Sequence, residues 1–239
     1  MNVGIIGFGQ IGRAIKQVVE KKHRVFARDL DFDQIKKNRI DILHLCYPFD
    51  KNFTINAVRY IKEIKPNLVI IESTVKVGTT EKIYRKTGVN LVHSPVRGVH
   101  PHLYEGVMTF PKYIGSTSKK AGIIAKKYYQ DLGIKVELFD DSRTTELAKL
   151  MCTTYYGWNI IFEKEMYKLC HKYGVNFDQA YSRWNQSYNR GYRQLGMGYV
   201  VRPVLKHIPG PIGGHCVISN CGLITSSITR IISKFNKNY

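Results

Sequence analysis

The stretch GIIGFGQIG, residues 4–12, constrains this chain more than any other. It sets Gly7, Gly9 and Gly12 in G-x-G-x-x-G spacing between an apolar run and an amphipathic one. Glycines so spaced permit a tight strand-to-helix turn and bring the backbone close to a pyrophosphate at a positive helix N-terminus. Asp29 follows roughly 20 residues on, where a carboxylate accepts hydrogen bonds from an adenosine ribose and repels a 2′-phosphate. NAD is therefore the expected cofactor, with Arg28 beside the carboxylate as a contrary signal for NADP. Phe8, Gln10 and Ile11 complete the loop as cofactor neighbours. An ordinary turn that uses glycine only for packing is the structural alternative.

The rest of the first half agrees with this start. Apolar runs of strand type (VGIIG, HRVFA, IDILHLC, NLVIIES, VNLVHS, PKYIG and IKVELF) alternate with helical patterns near 11–21, 53–64, 79–87 and 118–132. Runs that are apolar on both faces and separated by helices predict an α/β fold, a Rossmann-type doubly wound parallel sheet. Loops at the carboxyl ends of such strands border the cofactor crevice, which draws in Tyr47 and Pro48 of LCYPF and Ser73 and Thr74 after the fourth strand. From residue 143 the pattern changes to one long helix over 143–173, with Ser142 or Asp141 as cap and Glu146 in its opening turn. A second helix is expected over 177–189 and a closing one near 215–234. The chain thus divides into a dinucleotide-binding domain, 1–140, and an all-helical domain, 141–239.

Composition limits the function classes. No apolar run approaches the roughly 20 residues that span a membrane, and the N-terminus enters a strand pattern at once, so a cytoplasmic protein without a signal sequence is expected. The five cysteines form no C-x-x-C pair, which favours reduced thiols. The net charge of +19 is spread along the whole chain. It suits phosphorylated anionic small molecules, whereas nothing beyond charge supports a nucleic-acid partner.

Further motifs point to one family. ESTVKVGTT (72–80), HSP followed by EG (93–106), ELAKLMCTTYYGWNIIFEKE (146–165) and GPIGGHCVISN (210–220) follow the glycine loop in that order. Together they resemble the UDP-glucose/GDP-mannose dehydrogenases over nearly the whole chain, corresponding to that family's NAD-binding and central helical domains. The resemblance implies oxidation of a sugar primary alcohol to a carboxylate with two NAD molecules, by a homodimer paired through the long helix. It makes Cys216 the nucleophile that traps the aldehyde as a thiohemiacetal and carries the later thioester. It makes Lys149 the ammonium that steadies developing negative charge on oxygen. Thr74 is then the residue that holds a water, and Glu105 the carboxylate that positions or activates it. Gly213 and Gly214 let substrate approach the backbone. His215, Arg97, Arg202 and Thr153 join them as substrate-side candidates, and Asn220 as a hydrogen-bonding group beside the thiol.

Departures from the family pattern are as informative. Val96 stands where the family has a glutamate, and the gap before EG is longer. Thr153 replaces an asparagine and Asn220 an aspartate, so Asn220 can bind water but cannot act as a base. The sequence given stops at Tyr239, where the family continues into a third, nucleotide-gripping domain, so that domain is expected to be absent. The segment 182–203 supplies Arg183, Arg190, Arg193 and Arg202 among aromatic residues, a pattern suited to phosphate or carboxylate. Two other functions remain open on sequence: a β-hydroxyacid-type dehydrogenase with a single two-electron oxidation, and a dinucleotide-binding protein without turnover.

Overall fold

The computed structural model describes every residue except His100 and His215. It divides into two compact units, Met1–Lys149 and Leu150–Tyr239. In the first unit, seven strands form one sheet in the order β2-β1-β3-β4-β5-β6-β7. They are β1 (Asn2–Ile6), β2 (Arg24–Arg28), β3 (Ile42–Leu45), β4 (Leu68–Ile71), β5 (Asn90–His93), β6 (Lys112–Ser116) and β7 (Val136–Phe139). All four residues of β3 and of β4 are buried, as expected of strands covered on both faces. β1 to β5 run parallel, and β1 pairs with both β2 and β3, so the switch in strand order lies at the carboxyl ends of β1 and β3. The wholly parallel sheet expected from the sequence needs one correction. β6 pairs antiparallel with β5, and β7 then runs parallel to β6.

Helices α1 (Gln10–Val19), α2 (Phe53–Ile64), α3 (Thr79–Thr87), α4 (Leu103–Thr109) and α5 (Lys119–Asp131) clothe the sheet. One core joins Ile15 and Val18 of α1 and Ala121 and Ala125 of α5 to Val3, Ile5 and Ile70 of the strands. A second joins Phe53, Ala57 and Ile61 of α2 and Ile83 of α3 to Leu43, Leu45 and Val69. Each fully buried Ile or Leu contributes about 1.5–3 kcal/mol, and these two layers fix the sheet.

The interior also holds charge. Glu72, just past β4, receives a salt bridge from Lys112 of β6 and a hydrogen bond from the Tyr129 hydroxyl at 2.6 Å. His44 of β3 lies 3.0 Å from Glu72 through Nδ1 and 3.0 Å from the Tyr128 hydroxyl through Nε2. The Lys112 ammonium also donates to the Ser94 carbonyl at 2.7 Å. Burial alone would push the Glu72 carboxyl up, but the neighbouring Lys112 ammonium and the His44 contact outweigh it and hold the carboxyl at about 2.

α6 (Ser142–Lys172) starts within the first unit, one residue from the expected position. Glu146 does not serve its own helix there. Its carboxylate accepts from Gly78 N at 2.5 Å, Thr80 N at 2.8 Å and the Thr80 hydroxyl at 2.6 Å, and so caps α3. In the second unit, a π turn, Asp178–Arg183, leads into α7 (Trp184–Gln194), five residues beyond the expected end. The single closing helix expected near 215–234 is two: α8 (Val217–Cys221) and α9 (Ser227–Phe235). Gly222 ends the first, and Ser226 opens the second with a reciprocal capping box to Thr229. No described helix is long and apolar enough to cross a membrane.

Candidate active site

The glycine loop sits at the switch point of the sheet. Gly7 follows β1 with φ +89°, and a Cβ there would meet the Tyr47 nitrogen at 2.7 Å. A Cβ on Gly12 would collide with the Gly7 carbonyl oxygen, so α1 touches the turn here. At Gly9 a Cβ would meet nothing within 4 Å. The loop is therefore closed where it must pack and open where a phosphate would approach the start of α1. Gly12→Ala is expected to cost about 1–3 kcal/mol by overpacking. Thermal denaturation checks it, and an unchanged melting temperature contradicts the close contact.

Asp29 stands at the end of β2. Its Oδ2 accepts from Phe8 N at 2.5 Å and its Oδ1 from Leu30 N at 2.8 Å, which fixes the carboxylate beside the loop. Arg28 is not offered to a ligand, contrary to its place among the cofactor candidates. Its guanidinium bonds Glu63 at 2.7 Å and Asp33 at 2.6 Å and lies over the Tyr60 ring. The Glu63 hydrogen bond in particular raises its pKa. With Arg28 neutralised, Asp29 dominates the β2 end. Phe8 and Ile11 are half-buried against the core, and Gln10 is exposed at the first position of α1.

The other strand ends gather further candidates. Tyr47 is half-buried, its hydroxyl donating to the Phe53 carbonyl at 3.2 Å, and Pro48 is exposed. Ser73 is committed to structure, because its hydroxyl bridges to the carbonyls of Leu45 at 3.3 Å and Tyr47 at 2.6 Å. Thr74 beside it is half-buried. Lys149 of α6 donates to the Val96 carbonyl at 2.8 Å, just past β5, so its ammonium is anchored by backbone at the same edge of the sheet. Val96 itself is buried.

Two more candidates lie in the first unit. Glu105, on α4, is exposed and lines a cavity of about 730 Å³ with Gln10, Arg13 and Lys21, which neither Thr74 nor Lys149 lines. Arg97 stacks on Phe110 at 5.2 Å and Tyr113 at 4.5 Å, while its buried Nη1 has no hydrogen-bond partner, which leaves an N–H edge for a ligand. His215 lies outside the described residues.

In the second unit the thiol of Cys216 is exposed, and the chain on both sides of it is pinned. Upstream, the buried Lys164 donates to the carbonyls of Ile208 at 2.5 Å and Gly210 at 2.7 Å. His207 Nδ1 lies 2.8 Å from the buried Glu163 carboxylate. Downstream, α8 lies against α6 at Gly157, where a Cβ would meet Val217 Cγ1 at 2.5 Å. Asn220 donates to the Thr153 hydroxyl at 3.2 Å, so the two positions that depart from the family pattern face one another. Between these anchors Gly213 and Gly214 are exposed, Gly214 with φ +75°. Lys164, Glu163 and Gly157 were not legible as site residues. A glycine in the middle of a 31-residue helix was the one available signal. Arg202 borders a different cavity, with Arg190 and Arg193, which neither Gly213 nor Gly214 lines.

No family model matches the chain. It is 30% identical over 255 residues to UDP-N-acetyl-D-mannosamine dehydrogenase of Pyrococcus horikoshii, a match that covers 95% of this chain and 56% of that protein. The chain belongs to the UDP-glucose/GDP-mannose dehydrogenase family. The enzyme of the same name from Methanocaldococcus jannaschii is 28% identical over 201 residues, covering 77% of this chain and 44% of its own. The chain thus spans about half the length of the curated relatives it matches. The solved structure of the Pyrococcus horikoshii UDP-D-ManNAc dehydrogenase superposes with a TM-score of 0.82 at 22% identity, over all of this chain and 68% of that one. The fold is shared across the full length described here.

Proposed function

We propose that this chain is an NAD-dependent dehydrogenase that oxidises the primary alcohol of a nucleotide sugar to a carboxylate, with Cys216 as covalent nucleophile. The observation that carries the reading is the exposed Cys216 thiol on a loop anchored from both sides. The relatives' names, UDP-N-acetyl-D-mannosamine dehydrogenase, supply the substrate class. Gly7, Gly9 and Gly12 with the start of α1 would hold the pyrophosphate of NAD, and Asp29 its ribose. When bound, NAD supplies the hydride acceptor for both oxidations. Thiolate addition by Cys216 keeps the half-oxidised carbon on the protein, so free aldehyde does not escape. Water then cleaves the thioester, returning the thiol and releasing the carboxylate. Lys149 meets the negative charge that develops on oxygen, and Thr74 holds the water. Asn220 orients groups by hydrogen bonding and takes no proton.

The test is NADH absorbance with NAD and, in turn, UDP-N-acetyl-D-mannosamine, UDP-glucose, GDP-mannose and a simple hydroxyacid. Two NADH per sugar consumed is the expected result. NADH with the hydroxyacid alone would transfer the chain to the single-oxidation class.

The same reading includes a homodimer through α6. Met151, Tyr155, Trp158 and Phe162 recur at helical spacing and are between 37% and 59% exposed, an apolar stripe along one side of α6. Light scattering at micromolar concentration is expected to give twice the chain mass, and Tyr155→Asp with Phe162→Asp to halve it. A wild-type monomer contradicts the pairing. The cytoplasmic location is part of this proposal.

A further inference from the structure

We propose that Glu163, Lys164 and His207 are positioning residues that hold the loop bearing Cys216 in one conformation; the inference deepens the proposed function and takes its purpose from Cys216 as nucleophile. Over residues 201–209 the chain forms no helix or strand, so no backbone ladder fixes its path toward the Gly-Gly turn. Side chains of α6 hold it instead. The Glu163 carboxylate lies 2.8 Å from His207 Nδ1, and because a carboxylate only accepts, Nδ1 donates. Lys164 sends its ammonium to the carbonyls of Ile208 at 2.5 Å and Gly210 at 2.7 Å. Two consecutive residues of one helix thus grip the same short stretch of loop. The His207 ring lies parallel to Tyr167 at 3.5 Å, one helical turn beyond Glu163, and edge-on to Phe177 at 6.2 Å. Its orientation is fixed as well as its place.

Burial makes the grip strong. Glu163 is 2% exposed and Lys164 3%, and a charge so far from water is costly unless its hydrogen bonds are made. Both residues find those bonds in the loop, so releasing the loop strands two buried charges. Gly210, with φ +83°, and Gly214, with φ +75°, are the permissive points between this clamp and the thiol. Gly210 stands six residues before Cys216, and α8 begins at Val217, packed on Gly157. Midway, Ile212 N donates to Asn236 Oδ1 at 2.5 Å. A connection that short, fixed at both ends, restricts where the sulfur between them can go. The placement matters for chemistry, because displacing a reacting atom by about 1 Å can lower a rate about 10²-fold. The three residues act through the loop and offer no group to the reacting carbon.

A nitroxide spin label on Cys216 reads the loop directly and without turnover. Cys152→Ser removes the other exposed thiol, and Cys46, Cys170 and Cys221 are buried, so the label goes to Cys216. An immobilised paramagnetic resonance line shape is expected in this parent and in His207→Asn, whose amide nitrogen stands in for Nδ1. His207→Ala and Lys164→Met are expected to give a mobile line shape, with circular dichroism checking the fold. Glu163→Gln with His207→Ala leaves no buried carboxylate unpaired and keeps the test valid should a single variant not fold. In unlabelled protein, His207→Ala should lower kcat for acid formation about tenfold and leave the KM for NAD unchanged, and His207→Asn should restore kcat. An immobile label in every folded variant overturns the proposal, as does a mobile label in the parent, or equal loss in His207→Asn and His207→Ala. If the parent produces no NADH, the oxidation reading fails by itself, and the line shapes still decide the clamp.

Discussion

Cys216→Ser is expected to abolish acid formation, lowering turnover to the carboxylate by on the order of 10³-fold or more. The reason is chemical. A serine hydroxyl remains protonated at neutral pH without a partnered base, while a thiol supplies a usable fraction of thiolate and a better leaving group for the hydrolysis. Dinucleotide affinity should survive, because the glycine loop and Asp29 belong to the first unit and do not involve this thiol. Cys152, the other exposed cysteine, is the control: Cys152→Ser should retain turnover. Acid formation by Cys216→Ser at the wild-type rate would remove the covalent step.

Lys112→Met is expected to give the largest loss of stability, about 3–5 kcal/mol, because it strands the buried Glu72 carboxylate. Urea denaturation measures it, and adding Glu72→Gln should recover part of the loss, since no charge is then left unpaired. A loss below about 1 kcal/mol would mean that the pair is not desolvated. The same interior predicts acid sensitivity. Glu72 titrates at about 2 instead of its ordinary 4.5, so its contribution is present above pH 4.5 and lost as the pH falls through about 2. His93, held neutral chiefly by burial, falls from 6.5 to about 3, so unfolding takes up its proton below pH 6.5. Both effects have one sign: stability should decline steadily from about pH 6.5 downward, and a flat profile between pH 7 and 4 contradicts them.

Much of this molecule was legible because its local signals agree. The period of α2 predicts 53–64 and the helix is Phe53–Ile64; the strand runs and the glycine turn fall in register with the sheet. α4 gives little signal in sequence, since LYEGVMT is short, carries a glycine and follows His102, which makes no side-chain cap. The reversal of β6 was missed because apolar content says that a strand is buried and nothing about its direction. The closing segment reads as one helix because its apolar period continues across Gly222, and the capping box at Ser226 is what divides it.

Among site residues, legibility followed sequence locality. Gly7, Gly9, Gly12 and Asp29 belong to one spaced motif, and the structure joins them directly through Asp29 and Phe8. His44 and Lys112 lie on two strands and Glu72 just past a third, each a lone polar residue in an apolar run, and only tertiary pairing reveals their purpose. Arg28 looked like a phosphate ligand because Asp33 and Glu63, which neutralise it, lie elsewhere in the sequence.

All of the chemistry argued here requires one sulfur atom to take up substrate carbon while a dinucleotide is present. Peptide mass spectrometry after incubation with NAD and UDP-N-acetyl-D-mannosamine and rapid acid quench measures this directly. The account predicts a sugar-nucleotide acyl mass on the peptide that contains Cys216, absent when NAD is omitted. An unmodified Cys216 peptide during steady NADH production, or the adduct on Cys152 instead, would contradict it.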